Sequence, residues 1–576
     1  QRVAPCPREV RGSAATWVDG RLHQWLSTPH AQGVKAPIAA ANGVEADKVR
    51  IITPDVGGAF GAKIGTYAEE MLLGPISKAL GRPVRWRETR SESMMNMGHG
   101  RAQLQYVTIG GTRDGKVTHY QLHLFQDAGG FMDVGGVLGF AMTRPMVQAV
   151  YDIANVECRA TTVLTNTTPT VPYRGAGRPE ATAAAERAMD LFAAEIGKDP
   201  AEVRRMNLIP KFLESHATAI GHTYDVGDYE GALDKALEAA GYADLRAEQA
   251  RRREAGDEKL LGIGVSVYVE VTGGVDPMGE AAKIEVQDDG SALVYTGTSP
   301  HGQGHDTSWS MIASDQTGIP MDKITLIWGD TDLVPEGGGT MGSRSLQQGG
   351  AAVNKASIEL VEKAQKLAAS LLEADEADIV LDKDNGAFHV AGTPAVAKTW
   401  ADLAVAAKSQ GDDLTIDTRF DAGQATFPFG AHVAVVEVDT GTGQVKHLRQ
   451  VACDDAGRVL NPMLLDGQIH GGIAQGTAQA LLEEVRFDED GNPVTSNLAD
   501  YGMISATELP SFEVVHMETP TFVNPLGVKG IGESGTIGST PAVQSAVIDA
   551  LSHLGIRHID MPATAEKVWR AIQSAT

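Results

Sequence analysis

Cysteine is scarce. Only Cys6, Cys158 and Cys453 occur in 576 residues, and they lack the CxxC or CxH spacing that would hold zinc or an iron-sulfur cluster. A reducing compartment is expected, and any cluster must sit on another chain. Basic charge is short as well: 49 Lys and Arg against 74 Asp and Glu give a formal charge of −25. Nucleic-acid binding relies on clustered cations that neutralise phosphates, so nucleic acid is not an expected partner. No apolar run approaches the roughly 20 residues that span a bilayer, and no basic start leads into an apolar signal core. These absences together predict a soluble, cytoplasmic protein without a membrane span.

The length exceeds the roughly 250–300 residues at which single cores stop growing, so at least two domains are expected. The 65 glycines gather in separate loops, between which strand-like and Ala-rich helical stretches alternate, a mixed α and β pattern. Strands are predicted at Lys48 to Thr53, Ala102 to Ile109, Thr118 to Phe125, Gly262 to Val269, Lys283 to Val286 and Ala431 to Val438. Helices are predicted at Glu180 to Ile196, stopped by Gly197 and Pro200, and at Ala352 to Ala374. Residues 227–259 turn charged and alanine-rich, which reads as a solvated helical connection. It divides a first domain, 1–226, from a second, 260–576. The chain opens on Gln1 and soon runs into strand-like text, as if inside a larger domain.

Five glycine-rich loops carry the chemistry: Asp55 to Lys63, Tyr173 to Glu180, Gly302 to Thr307, Gly339 to Ser345 and Val528 to Gly535. Glycine lets backbone N–H groups approach an anion closely, while Gln, Ser, Thr and Arg add directed donors, so such loops suit a large phosphorylated cofactor. Any one loop alone reads as a tight turn; five together call for a ligand. Gly57 to Lys63 resembles a phosphate-binding loop but lacks the Ser or Thr required after the lysine, since Ile64 stands there. Gly530-Ile531-Gly532-Glu533-Ser534-Gly535 fits the dinucleotide pattern GxGxxG, with a helix predicted from Pro541 to Leu554 and a following strand ending at Asp560. Against that reading, Glu533 would set a carboxylate beside a pyrophosphate. Glu533 is instead the candidate general base, and a dry pocket is expected to raise its pKa. A solvated loop glutamate is the plainer alternative, as are a surface ion pair for Arg174 and a satisfied loop histidine for His305.

Taken in order and spacing, these loops and Gly467-Gln468-Ile469-His470-Gly471-Gly472 resemble the large subunits of molybdenum hydroxylases of the xanthine oxidase and aerobic carbon monoxide dehydrogenase family, over nearly the whole chain. The resemblance implies an α+β fold of two large mixed α/β domains with a molybdopterin cofactor between them, the family's first small N-terminal domain being absent. It implies Glu533 as catalytic base. Phe60 and Gly61 would lie near the metal, and Gly58 and Ala59 would bind the cofactor. Cofactor contacts would come from Arg174, Gln303, Gly304, His305, Thr340, Gly342, Ser343, Arg344, Ser345, Asn461, Gln468 and Lys529. No protein ligand to the metal is implied. The cofactor would be the cytosine dinucleotide form, with [2Fe-2S] clusters on a small partner subunit and FAD on a medium one; either a further chain carries the missing N-terminal part or the sequence is a fragment. The substrate would be a small aldehyde or aromatic N-heterocycle, hydroxylated with oxygen from water. A copper-free relative of carbon monoxide dehydrogenase acting on another substrate, or a non-catalytic assembly subunit, are the alternatives. Several positions depart from the family. Gly175 stands where copper-type members carry cysteine, Ile64 and Ala176 where purine-oxidising members carry glutamate and an aromatic, and Pro29 where glutamine is usual, with Gln32 nearby.

Overall fold

The computed structural model describes residues 1–274 and 279–575. Its central sheet shows how the site is anchored. The apolar run Lys259–Val269 forms an 11-residue strand, buried at every residue but the first, and pairs antiparallel with Phe429–Asp439, which pairs with Val445–Asp455; Phe512–Met517 closes the sheet in parallel. Burial on both faces explains why the strand text is continuously apolar and does not alternate. Ile263, Val265, Val267 and Val433 face a core shared with the helices Arg178–Ile196 and Tyr229–Ala240. Ala434, Val436 and Val438 face the helix Ser534–Leu551. That helix lies directly on the first strand at Gly262 and Gly264, where an added Cβ would collide with the carbonyl oxygens of Ala546 and Ala542. A second close approach runs between helices: Gly472 and Gly476 of Pro462–Leu481 sit against Gly535, Ser539 and Thr540. Small residues two apart on a strand and four apart on a helix present one face each, so both contacts fix the start of Ser534–Leu551.

Around this centre, a sheet ordered Val49–Ile52, Arg21–Leu26, Gly12–Val18 and Val84–Arg87 packs under the helices Ala31–Asn42 and Ala68–Leu80. A three-stranded sheet joins Gln103–Gly111, Val117–Gly129 and Asn155–Leu164. In the second half, a sheet ordered Ile324–Ile327, Ala292–Thr296, Gly279–Val286 and Thr415–Asp421 carries the helices His305–Thr317 and Ala351–Leu372.

The strands expected from the sequence form within a few residues of their predicted ends. The helix Arg178–Ile196 stops at Gly197, whose left-handed backbone returns its N–H to the Ala193 and Ala194 carbonyls. Two expectations change. Residues 227–259 hold the helices Tyr229–Ala240 and Tyr242–Ala255, but the first is no solvated connection. Tyr229, Ala232, Leu233, Ala236 and Ala240 are buried, so its alanines are a packing face against the central sheet. The helix after the last loop starts at Ser534, directly behind Glu533, and ends at Leu551, and among the described residues no strand lies between that helix and Asp560. The dinucleotide reading therefore loses its second strand. Among the described residues no helix is long and apolar enough to cross a membrane.

Candidate active site

Glu533 precedes the first residue of Ser534–Leu551 and sends its side chain away from that helix. Its Oε1 accepts from the Gly175 N–H at 2.8 Å; its Oε2 accepts from Arg178 Nη2 at 2.6 Å and Ser343 Oγ at 2.8 Å. A second carboxylate lies beside it. Glu270, fully buried at the end of the central strand, accepts from the same Arg178 Nη2 at 3.0 Å and from Ser534 Oγ at 2.7 Å, and its Oε1 lies 3.1 Å from Ser343 Oγ.

Burial alone would push both carboxyls up, and it does so for Glu270, which rises to about 7 against the opposing pull of Arg178. Glu533 goes the other way. Burial is outweighed by Arg178, the Gly175 N–H, Ser343 and the more distant Arg174, so Glu533 is held below the usual carboxylate range. The raised pKa expected for Glu533 is thus corrected: its pocket is dry but strongly donating, and the raised group is its neighbour. The helix N-terminus behind Glu533 favours its negative charge as well.

Arg174 is no surface residue. Buried, it donates Nε to the Gly532 carbonyl at 2.6 Å, Nη2 to the Gln468 carbonyl at 2.9 Å and Nη1 to Gln475 Oε1 at 3.2 Å. It ties the Glu533 loop to the helix Pro462–Leu481. His305 stacks on Trp309 with ring centroids 4.7 Å apart. Burial keeps it neutral, its pKa pushed down to about 3. Its Nδ1 lies 3.0 Å from the Thr298 carbonyl, which only accepts, so Nδ1 carries the hydrogen and Nε2 accepts from Gln303 Nε2 at 3.1 Å. Gln303 Oε1 in turn accepts from the His301 N–H at 2.7 Å, so the amide is oriented before any ligand arrives.

These groups border a cavity of about 840 Å³. From the first half Ala59, Phe60, Gly61 and Arg174 reach it; from the second half, Gln303, His305, Thr340, Gly342, Ser343, Ser345, Asn461, Gln468, Lys529 and Glu533 do. Three expected residues stand back from its wall. Gly58 sits behind the Phe60 ring, Gly304 caps the helix His305–Thr317 against Leu464, and the fully buried Arg344 turns away to pair with Glu280 at 2.6 Å. Within the wall, Asn461 caps Pro462–Leu481 through the Leu464 N–H, and Lys529 pairs with the buried Asp455 at 3.3 Å. Gln32 gives its amide to the Val334 carbonyl at 2.9 Å and is not part of the wall, whereas His30 is. Among the described residues no group of three His, Cys, Asp or Glu side chains forms a metal site.

Arg178 and Glu270 were not singled out by the sequence. Arg178 lay in a loop already marked. The signal for Glu270 was a charged residue closing an otherwise apolar strand, Leu260 to Val269, since a carboxylate there must find partners.

Comparison with known proteins places this geometry. Residues 1–208 and 235–510 each match the family profile of a molybdopterin cofactor-binding domain. The chain is 36% identical to the carbon monoxide dehydrogenase large chain of Hydrogenophaga pseudoflava, over 99% of this chain and 74% of that one. It is 33% identical to the nicotine 6-hydroxylase large subunit of Paenarthrobacter nicotinovorans, over 99% and 72%. In structure it superposes with a TM-score of 0.93 on a Cu,Mo-CO dehydrogenase (33% identity, 100% of this chain, 75% of that one) and on quinoline 2-oxidoreductase from Pseudomonas putida 86 (0.93, 32%, 99% and 75%). The chain belongs to the molybdopterin-binding large subunits of the xanthine oxidase family of molybdenum hydroxylases, and it is a molybdenum-dependent oxidoreductase.

Proposed function

We propose that this subunit hydroxylates an aldehyde or an aromatic N-heterocycle, with Glu533 as the general base, as one part of a cytoplasmic complex with an iron-sulfur and a flavin subunit. The observation that carries the reading is the Glu533 carboxyl group at the cavity wall, held by three donors.

The residues suit the cofactor. The cavity lies within the range of organic ligand sites, roughly 300–1,000 Å³. The starts of the helices Arg178–Ile196, His305–Thr317, Pro462–Leu481 and Ser534–Leu551 all contribute to its wall. The N-termini of His305–Thr317 and Pro462–Leu481 favour an anion such as a pyrophosphate. Gln303, Thr340, Ser345 and Gln468 would hold the pterin dinucleotide, which we take to be the cytosine form. When bound, it supplies a two-electron acceptor and activates oxygen derived from water.

The protein's own part is proton handling and exclusion of water. Glu533 Oε2 already has two donors and Oε1 has one, so Oε1 keeps a lone pair and is the atom that takes the proton from the attacking oxygen. Phe60, Ile64, Val134, Leu138 and Met142 give the same cavity an apolar side, which suits a flat ring or an aldehyde with an apolar tail. Ile64 and Ala176 offer no hydrogen bond to a purine. Gly175 has φ +101°, and a Cβ there would run into the Pro179 ring, so a copper-binding thiolate has no place.

The test is to isolate the complex through a tag on this chain, measure molybdenum, iron and flavin, and screen aldehydes and N-heterocycles by dye reduction in ¹⁸O-labelled water. Label in the product together with all three cofactors is expected. A complex without molybdenum would instead support an assembly subunit, and unlabelled product would contradict the hydroxylation.

A further inference from the structure

We propose that Glu270 is the proton-sharing partner of Glu533: the two carboxyl groups hold one proton between them through the Ser343 hydroxyl, Glu270 staying neutral while Glu533 is the free base. This deepens the reading of Glu533 as the base and rests on it. Glu270 is a positioning residue, acting on the reaction only through Glu533.

Hydrogen counting supports the arrangement. Ser343 Oγ lies 2.8 Å from Glu533 Oε2 and 3.1 Å from Glu270 Oε1. A serine hydroxyl has one hydrogen. Were both carboxylates ionised, one of these contacts would set two acceptors against each other without a hydrogen. With a proton on Glu270 Oε1, Glu270 donates to Ser343 and Ser343 donates to Glu533 Oε2, so each contact has its own hydrogen. Ser534 Oγ completes Glu270 by donating to Oε2 at 2.7 Å.

Charge counting agrees. The ionisable groups facing Glu270 are Arg178 from the helix Arg178–Ile196, Glu533 ahead of Ser534–Leu551 and Tyr268 from its own strand, with Arg174 acting at longer range. Among the described residues Arg178 alone forms an ion pair with either carboxylate, using one nitrogen for both, at 2.6 and 3.0 Å. Arg174 is committed to Gly532, Gln468 and Gln475. Two ionised carboxylates would share one contacting guanidinium, with Arg174 acting only from a distance, and one proton relieves their mutual repulsion. Burial lifts Glu270 to about 7, while Glu533 is held low.

The transfer is balanced. The proton leaves Glu270 Oε1 for Ser343 Oγ as the Ser343 proton moves to Glu533 Oε2. One O–H bond breaks and one forms at serine, negative charge passes from Glu533 to Glu270, and no electrons move.

The experiment is infrared difference spectroscopy of the whole complex across pH values on either side of about 7, on wild type, Glu270→Gln and Glu533→Gln. Burial also lifts Glu70 and Glu483 to about 7, so wild type should show, beyond their bands, a buried protonated-carboxyl band of Glu270 that disappears as pH rises. The wild-type-minus-Glu270→Gln difference should isolate that band, and in Glu533→Gln it should vanish at lower pH than in wild type, because one carboxylate then faces one guanidinium. In the pH profile of substrate reduction, Glu270→Gln should lose an ionisation near about 7 and keep the acid limb set by Glu533. Thermal stability gives a third readout. Because Glu270 has a raised folded pKa, wild-type stability falls as pH rises from the ordinary glutamate range to about 7, so the advantage of Glu270→Gln should grow across that window and then level off. Absence of any such band from wild type, which needs no variant to fold, would overturn the proposal, and so would its undiminished intensity in Glu270→Gln. A native reaction rate in Glu533→Gln, with the band seen in wild type, would overturn the base assignment alone.

Discussion

Arg178→Met is the perturbation that most exposes how the carboxylate pair is held. Arg178 is buried and gives one nitrogen to Glu533 and Glu270 at 2.6 and 3.0 Å. Removing one partner of a buried ion pair costs about 3–5 kcal/mol, because the remaining charge stays buried without compensation. With one proton already on the pair, a single charge is stranded, so the loss at neutral pH should stay in that range and not double. It should also depend on pH. Once Arg178 is gone, burial of Glu533 is less opposed and its folded pKa moves upward; a carboxyl so raised stabilises the fold while protonated and loses that contribution as pH rises. The gap between wild type and variant should therefore narrow as pH falls. Thermal unfolding of the complex at fixed scan rate across pH measures the gap, and the acid limb of substrate reduction should move to higher pH. A variant as stable as wild type at neutral pH, or with an unmoved acid limb, would refute the reasoning.

Gly264→Val should destabilise the complex by about 1–3 kcal/mol or more, since even a Cβ at this position meets the Ala542 carbonyl; an unchanged unfolding midpoint would show that the helix is free to move off the strand. Gly175→Cys combines a left-handed backbone, φ +101°, with the Pro179 ring. Strain of about 1–2 kcal/mol and a displaced N–H donor to Glu533 should slow substrate reduction without creating copper-dependent oxidation of carbon monoxide; carbon monoxide-driven dye reduction after copper reconstitution would contradict this.

Much of the fold was readable because its signals are local. Gly197 and Pro200 end a helix by their own backbone preferences, and the apolar run ending at Val269 is a strand buried on both faces. Glu533 stood out through its flanking glycines. What stayed hidden depends on distant partners. The direction of the Glu533 shift is set by Arg178, 355 residues away in the chain, and no local pattern reveals that a dry pocket is also a donating one. Arg344 shows the same limit. An arginine in a glycine loop reads as a ligand contact, and only the fold turns it back to Glu280. The alanines of Tyr229–Ala240 looked like a linker because small apolar residues pack closely without announcing it by size.

The central claim is tested most directly by Glu533→Gln in the intact complex, with molybdenum content and unfolding midpoint measured beside anaerobic stopped-flow reduction by substrate. Glutamine keeps the size of the side chain and an acceptor oxygen but takes no proton, and a positioned general base contributes about 100- to 10,000-fold. The account predicts a variant that retains molybdenum and is reduced at least 100-fold more slowly. Retained molybdenum with reduction at the native rate would show that Glu533 is not the base.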